Sequence, residues 1–330
     1  MSWLGDLIQD IRRSKTIDFF VGGPLPLGSG QALSTPLKAG ECYVSIRLAS
    51  LRLPYTRKGV TKIYGIVHAF AGLSNSAGNA VELAAATVPK GLAAVAPSGL
   101  DKVLAIDKLL VGPTPWIGGN FELQIGLFSV VSENLAGPFL ETIEKLTEKV
   151  GGSFAGLAKP YVETLKFGMS ALSKATGTVT LEVGLEQGFS NLSAGHFALI
   201  GDDKRKFSNA ALTIDPGDKS LRVDDAPYTD APYLVYAVES SDQRVDWGSI
   251  PDLKTSYESI RSAKDRNEAQ QAFTAFRRQV LLSPDLIDAD RKRLVEKVEA
   301  LMKSLYDVAF TGAGSHARIP EFGKLKLYGT

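Results

Sequence analysis

The sequence predicts an α+β fold, with a predominantly antiparallel β-sandwich body, an inserted helical pair and a C-terminal helical module. Three observations predict it. Apolar residues recur at every second position in many segments between residues 41 and 240, as in half-buried strands. A helical period interrupts this pattern at about 134–174 and replaces it from residue 253 onward. Strands and helices do not alternate one for one, which argues against a doubly wound parallel sheet.

The chain has 330 residues, a length that suits two domains. We expect a short N-terminal amphipathic helix over residues 1–15. The β-sandwich body follows over residues 16–252 and carries the helical insertion at about 134–174. The remaining residues, 253–330, form the helical C-terminal module and its tail.

The N-terminal segment has a one-sided apolar pattern. Trp3, Leu7 and Ile11 fall on one face of the predicted helix, and we expect this face to dock on the body or on a partner. A membrane-surface anchor is the alternative, because Trp3 and the basic residues that follow the helix fit that pattern. Acidic residues interrupt the apolar pattern, so no signal peptide is predicted.

Two strand segments resemble each other. "LQIGL" at 123–127 and "LEVGL" at 181–185 share a leucine, a Gln or Glu, a β-branched residue, a glycine and a second leucine. Either an old duplication or the ordinary composition of strands explains the match. In both cases Gly126 and Gly184 predict a bulge or a close backbone approach within the sheet.

Charge and cysteine content exclude several classes of function. The net charge of +1 provides no overall field that would attract nucleic acid, so nucleic-acid binding is not predicted. The single cysteine, Cys42, cannot form an internal disulfide or a cysteine-based metal cluster. One unpaired thiol suits a reducing compartment, and we predict a cytoplasmic location. No apolar run reaches the roughly 18 residues that a membrane-spanning helix needs.

The usual catalytic constellations are missing from the sequence. The three histidines, His68, His196 and His316, have no second histidine at a metal-binding spacing. Cys42 lies on the apolar face of a predicted strand, where structural cysteines are found. The chain lacks a nucleophile elbow, a phosphate-binding loop and a dinucleotide fingerprint. We therefore predict no enzymatic activity and no cofactor, and no small-molecule ligand is evident.

Acidic residues concentrate in the predicted loops of residues 201–252. Such loops bind Ca²⁺ in some modules, because this ion takes six to eight oxygen ligands. The candidate metal ligands are Asp224, Asp225, Asp242 and Asp246. Interleaved lysines and arginines instead favour an ordinary surface with weak ion pairs, so no metal site is predicted.

The segment "SSDQRVDWGSIPDL" at 240–253 lies where the strand period gives way to the helical period. We interpret it as the joint between the β body and the helical module. Trp247 is available to pin the two parts together, and Arg244 lies close enough to pair with an aspartate. The alternative interpretation is a functional site. The candidate interaction residues of the whole chain are Trp3, Leu7, Ile11, Arg244 and Trp247.

These observations favour a non-enzymatic, soluble protein that binds another protein or assembles with itself within a larger complex. The partner is then a protein or a second copy of the chain. One alternative is a membrane-active or pore-forming effector that its helical parts keep soluble. A second alternative is a calcium-binding module or a hydrolase whose site is built from the aspartate loops, with His316 as the candidate catalytic histidine of the hydrolase.

Overall fold

The computed structural model combines antiparallel sheets with helices, which confirms the α+β class. The predicted N-terminal helix with Trp3, Leu7 and Ile11, the helical insertion at about 134–174, and His316 lie outside the residues that the structure describes. The described residues are 20–32, 34–53, 57–58, 61–62, 64–74, 80–87, 103–130, 179–309 and 319–328.

Most strands lie between residues 41 and 240, where the sequence has a period of two, whereas β1 and β2 precede that region, and the described helices follow it. In chain order the strands are β1 (Phe20–Leu25), β2 (Thr35–Pro36), β3 (Cys42–Arg52), β4 (Arg57–Lys58), β5 (Thr61–Lys62), β6 (Tyr64–Ser74), β7 (Ala80–Thr87), β8 (Leu104–Trp116), β9 (Phe121–Val130), β10 (Val179–Phe189), β11 (Ser193–Ile200), β12 (Leu212–Ile214), β13 (Leu221–Val223), β14 (Ala226–Pro227) and β15 (Tyr233–Ser241).

These strands form two large sheets and two small ones. The first large sheet has the order β1-β11-β15-β3-β8, with β2 also paired to β11. The second has the order β10-β9-β6-β7, and its strands pair antiparallel. A small sheet contains β12, β13 and β14, and β4 pairs with β5 as a two-stranded ribbon.

The two related glycines are direct partners across the second sheet. Gly126 of β9 lies opposite Gly184 of β10, and the register shifts between Leu181 and Val183 as in a β-bulge. A Cβ atom at Gly126 would lie 2.9 Å from the ring of Phe128, closer than van der Waals packing allows. The register shift thus lies just before Gly184, and the close contact at Gly126 is with a side chain rather than with a neighbouring backbone.

Three helices lie in the described C-terminal part of the chain: α1 (Pro251–Arg261), α2 (Arg266–Leu282) and α3 (Asp288–Ala309). Pro251 begins α1, where a missing backbone N–H costs nothing. Asp265 caps α2 by accepting a hydrogen bond of 2.9 Å from the backbone N–H of Glu268. The helix α3 begins at Asp288. None of these helices is both long and apolar enough to cross a membrane.

The chain divides into two compact units. Unit 1 comprises residues 1–37, 44–113 and 118–240, and its described part carries most of the strand residues. Unit 2 comprises residues 38–43, 114–117 and 241–330, and it contains the three helices. A core cluster of unit 1 includes Leu25, Ala49, Ala198, Ile200, Ile214, Leu221, Tyr228, Ala231, Tyr233 and Val235.

Candidate functional site

The predicted joint residue Trp247 is buried in an aromatic cluster of unit 2. The ring of Phe322, from the C-terminal segment, meets Trp247 edge-on with 4.9 Å between ring centroids. Phe322 also packs against Tyr257 of α1 and Phe276 of α2. Trp247 therefore anchors the C-terminal segment to the helices, and it does not lie on a surface open to a partner.

The predicted interaction residue Arg244 is completely buried in the same unit. Its Nε donates to the carboxylate of Asp246 at 2.9 Å, and its Nη1 donates to the backbone oxygen of Asp285 at 2.8 Å. Nη1 also lies 3.4 Å from the Asp285 carboxylate. A buried guanidinium requires such partners, because an unpaired buried charge is strongly unfavourable. These partners compensate the buried charge of Arg244, so a structural role is enough to explain why the residue is buried.

A second buried charge in unit 2 is the carboxylate of Asp290, in the first turn of α3. The hydroxyl groups of Tyr43 and Tyr328 both donate to its Oδ2, each at 2.6 Å. Arg293 pairs with Oδ1 at 2.8 Å. The backbone N–H of Ile287 donates to the Tyr43 hydroxyl at 3.1 Å. This Asp290 cluster joins the start of β3, the start of α3 and the C-terminal segment.

Burial and the neighbouring carboxylate keep both phenols of the Asp290 cluster protonated. Burial raises the pKa of Tyr43, and the hydrogen bond to Asp290 raises that pKa further. The same two causes raise the pKa of Tyr328. Neither phenol is therefore an acid or a nucleophile near neutral pH, and the arrangement holds structure rather than moving protons.

The candidate metal ligands do not form a calcium site with one another. Asp224 and Asp225 are the central residues of a two-residue hairpin between β13 and β14, both with positive φ, as a type I′ turn requires. The Asp224 carboxylate accepts from the backbone N–H of Ala211 at 2.8 Å. Asp242 and Asp246 belong to the other unit, and Asp246 pairs with Arg244. No group of three potential ligands gathers anywhere in the described ranges.

Other acids of the loops are engaged by their own neighbours. Hydrogen bonds from Lys206 and Tyr228 outweigh the effect of burial and lower the pKa of Asp202. The Asp215 carboxylate accepts from the backbone N–H of Gly217 at 2.8 Å, and this bond lowers its pKa. These aspartates shape turns, a role that composition alone did not distinguish from metal binding.

The two histidines with described backbone lie in different sheets. His68 lies opposite Gly126 in the second sheet, and His196 lies opposite Ala237 in the first. Burial lowers the pKa of His196, and the nearby charge of Lys219 lowers it further, so this side chain is neutral near pH 7. His196 belongs to no group of metal ligands among the described side chains.

The exposed end of α2 carries the clearest candidate for a functional surface. The buried stripe of this helix ends at Val280, whereas Leu281 and Leu282 are 49% and 71% exposed. One turn earlier, Arg277 and Arg278 are exposed, and neither forms an ion pair with a residue that the structure describes. We call these four residues the α2 face. Sequence reasoning missed it, although its leucines fall off the apolar stripe of the helix.

A cleft of about 660 Å³ adjoins the α2 face. Arg278 belongs to both, so the cleft and the face form one continuous surface. The cleft lies between α1 and α2, and its walls offer hydroxyl, amide and carboxylate groups but no histidine or cysteine. Its lining residues are Asp252, Thr255, Ser256, Gln271, Thr274, Ala275, Arg278 and Gln279.

Replacing Gly248 tests the packing of the C-terminal segment. A Cβ atom at Gly248 would lie 2.7 Å from the Cα of Gly323, so Gly248→Ala forces two backbones apart. We expect a loss of about 1–3 kcal/mol in the free energy of unfolding, measured by urea denaturation. Gly323→Ala is the matched control, because the nearest atom to its Cβ is 4.0 Å away. Equal losses in both variants would contradict this account.

Replacing Tyr43 tests the Asp290 cluster. Tyr43→Phe leaves the Ile287 N–H without its acceptor and removes one donor to Asp290. We expect a loss of about 1–3 kcal/mol in the free energy of unfolding. Tyr236→Phe makes the same chemical change where the buried hydroxyl has no hydrogen-bond partner, and it should cost nothing or stabilise the protein. A neutral Tyr43→Phe would refute the role of the cluster.

The raised pKa values predict sensitivity to alkaline pH. Above the usual tyrosine pKa of about 10, the phenols ionise in the unfolded chain but stay protonated in the folded one. Their stabilising contribution is therefore complete below that pH and is lost as the pH rises toward the folded-state values. Urea denaturation followed by tryptophan fluorescence should show a shallower decline for Tyr43→Phe than for wild type. If the free energy of unfolding falls equally steeply with pH in Tyr43→Phe and wild type, the alkaline sensitivity does not come from Tyr43.

Unit 2 thus offers a surface without catalytic groups, held by a buried framework. The α2 face combines exposed apolar side chains with two arginines that form no ion pair with a described residue. No protein-family model matches the chain, and neither curated proteins nor solved structures show significant similarity to it.

Proposed function

We propose that the protein acts without catalysis, by binding another protein or by assembling with itself within a larger complex. The α2 face is the proposed docking surface. One observation carries the proposal: two adjacent leucines are exposed on a helix whose other apolar residues are mostly buried. They lie one turn after two arginines that form no ion pair within the described part of the chain. Binding that covers Leu281 and Leu282 removes apolar surface from water.

The charge of the α2 face indicates the chemistry of its partner. Arg277 and Arg278 make no ion pairs in the described part of the chain, so carboxylates of a partner can bind them without competing with internal acids. Arginine is also enriched at the centres of protein interfaces. The partner segment we propose has apolar side chains flanked by Asp or Glu. The adjoining cleft offers room for one or two further side chains.

Two finer features belong to the same proposal. We propose that the two large sheets pack face to face as a β-sandwich. The burial of residues on both faces of β9, such as Leu123 and Phe128, supports this arrangement. We also propose a cytoplasmic location, supported by the single, unpaired Cys42. We propose no second function, because no contact among the described residues favours one.

The docking surface is tested by removing its apolar side chains. Sedimentation velocity of the purified wild-type protein measures self-association. Partners are then identified by crosslinking in the host, co-purifying the protein with whatever is attached to it, and mapping the crosslinked residues. The double variant Leu281→Ser/Leu282→Ser should weaken association at least about tenfold. Arg278→Glu should weaken it as well, with a reduced association rate, because the partner is expected to be acidic.

Lys297→Glu is the matched control for the charge reversal. Lys297 is an exposed cation on α3 that forms no ion pair with a described residue, so its reversal should leave association unchanged. The proposal fails if wild type stays monomeric and every co-purifying protein is retained by the double variant. It also fails if Lys297→Glu reduces association as much as Arg278→Glu does.

A further inference from the structure

The helix α2 has a second stripe of residues on its exposed side. Its members recur every three or four positions, so they are neighbours along one face of the helix. The stripe extends from residue 271 to residue 282, which is about 16 Å of helix. It runs from the cleft between α1 and α2 to the α2 face. Its residues, all exposed, are Gln271, Thr274, Ala275, Arg278, Leu281 and Leu282.

Short side chains form the middle of the cleft. Thr255 and Ser256 of α1 line it, together with Thr274 and Ala275 of α2. None of these four side chains is long enough to fill the gap between the two helices. The Thr274 hydroxyl donates to the backbone oxygen of Gln270 at 2.9 Å, so its donor is already used within the helix. The middle of the cleft is therefore suited to apolar side chains of a partner.

Two opposite charges also line the cleft. Asp252 and Arg278 are the charged members of its lining, and both are exposed. Neither forms an ion pair with a residue that the structure describes. The surface thus offers both members of an ion pair without joining them. The other charged residues of the two helices do not line the cleft; they are Lys254, Glu258, Arg261, Arg266, Glu268 and Arg277.

The α2 face and the cleft complement each other. A partner that covers the α2 face needs apolar side chains and an acid, and this surface itself presents two exposed leucines and Asp252. In a twofold dimer both copies use the same patch, so the patch must contain both sides of every contact. The leucines and Arg278 provide one side, whereas the cleft and Asp252 provide the other.

The spacing along α2 gives a register for such a dimer. Leu281 and Leu282 follow Arg278 by three and four residues, and Ala275 and Thr274 precede it by the same two intervals. When two α2 helices pack antiparallel about an axis at Arg278, residues at equal intervals before and after it become opposite one another. The leucines of each copy therefore lie against Ala275 and Thr274 of the other, at the middle of its cleft.

We propose that the protein forms a twofold dimer in which Leu281 and Leu282 of each copy enter the cleft of the other. The inference rests on the proposed function and names a second copy of the chain as the partner of the α2 face. The two Arg278 side chains approach each other at the axis, and Asp252 of the opposite copy supplies the charge that pairs with each of them. Burial of the leucines removes apolar surface from water on both copies.

Charge reversal on both sides of the ion pair tests the dimer in the full chain. Sedimentation velocity should show dimerisation of Arg278→Asp and of Asp252→Arg weakened at least about tenfold, because each variant brings like charges together at two symmetry-related positions. An equimolar mixture of the two variants should recover the dimer, because both pairs are opposite again in the mixed dimer. Recovery also shows that both variants are folded.

Ala275→Trp tests the cleft without changing a leucine or a charge. The indole fills the space that the leucines of the second copy need, so dimerisation should weaken at least about tenfold. Asp242→Arg is the matched control for Asp252→Arg, because Asp242 is an exposed acid of unit 2 that does not line the cleft. It should dimerise like wild type. Unchanged dimerisation of Ala275→Trp, or a mixture that stays monomeric, overturns the proposal.

The possible results distinguish this dimer from the more general proposed function. A wild type that stays monomeric up to about 0.1 mM overturns the dimer. The proposed function then stands if Leu281→Ser/Leu282→Ser loses a protein that co-purifies with wild type. Assemblies larger than a dimer overturn the twofold arrangement. A dimer that persists in the double variant overturns this inference, and the proposed function fails with it if that variant also retains every co-purifying protein.

Discussion

Unit 2 depends on the buried carboxylate of Asp290. A buried charge is tolerated only when hydrogen bonds and an opposite charge satisfy it, and here two phenols and Arg293 do so. The phenols come from Tyr43, 247 positions earlier in the chain, and Tyr328, 38 positions later. The requirement of one carboxylate thus explains why a mostly C-terminal unit includes residues 38–43.

The local pattern of the sequence predicted much of the fold. A period of two located long strands such as β9 and β10, and a period of 3.6 located α2 and the start of α3. The local pattern could not predict which distant segments of the chain contact one another. Cys42 was expected on the apolar face of its strand, and a period of two places the neighbouring Tyr43 on the opposite face, yet Tyr43 is 1% exposed. Its burial follows from a partner on α3 that no local pattern around residue 43 reveals.

The candidate functional residues also divide into those that a local sequence pattern could have revealed and those that needed the structure. Asp224 and Asp225, considered as metal ligands, are the two residues of a tight hairpin, and adjacent aspartates between short strands were a signal for that turn. The exposed leucines of the α2 face could also have been predicted from the sequence. Only Val280 continues the stripe set by Phe273 and Phe276, so the two leucines after it had to point elsewhere. The lack of acidic partners for the arginines, in contrast, is a tertiary property that needed the structure.

Arg244 and Arg52 show why burial alone does not identify a functional charge. Both residues are buried, with Arg244 0% and Arg52 5% exposed. Arg244 has a carboxylate on Nε and a backbone oxygen on Nη1, so its desolvation is compensated within the unit and its conformation is fixed. The corresponding atoms of Arg52 have no acceptor among the described residues. A compensated charge needs nothing more for folding, whereas an uncompensated one lowers the stability of the free protein and strengthens the binding of any anion that reaches it. The partners of Arg244, rather than its burial alone, therefore identify it as a structural group.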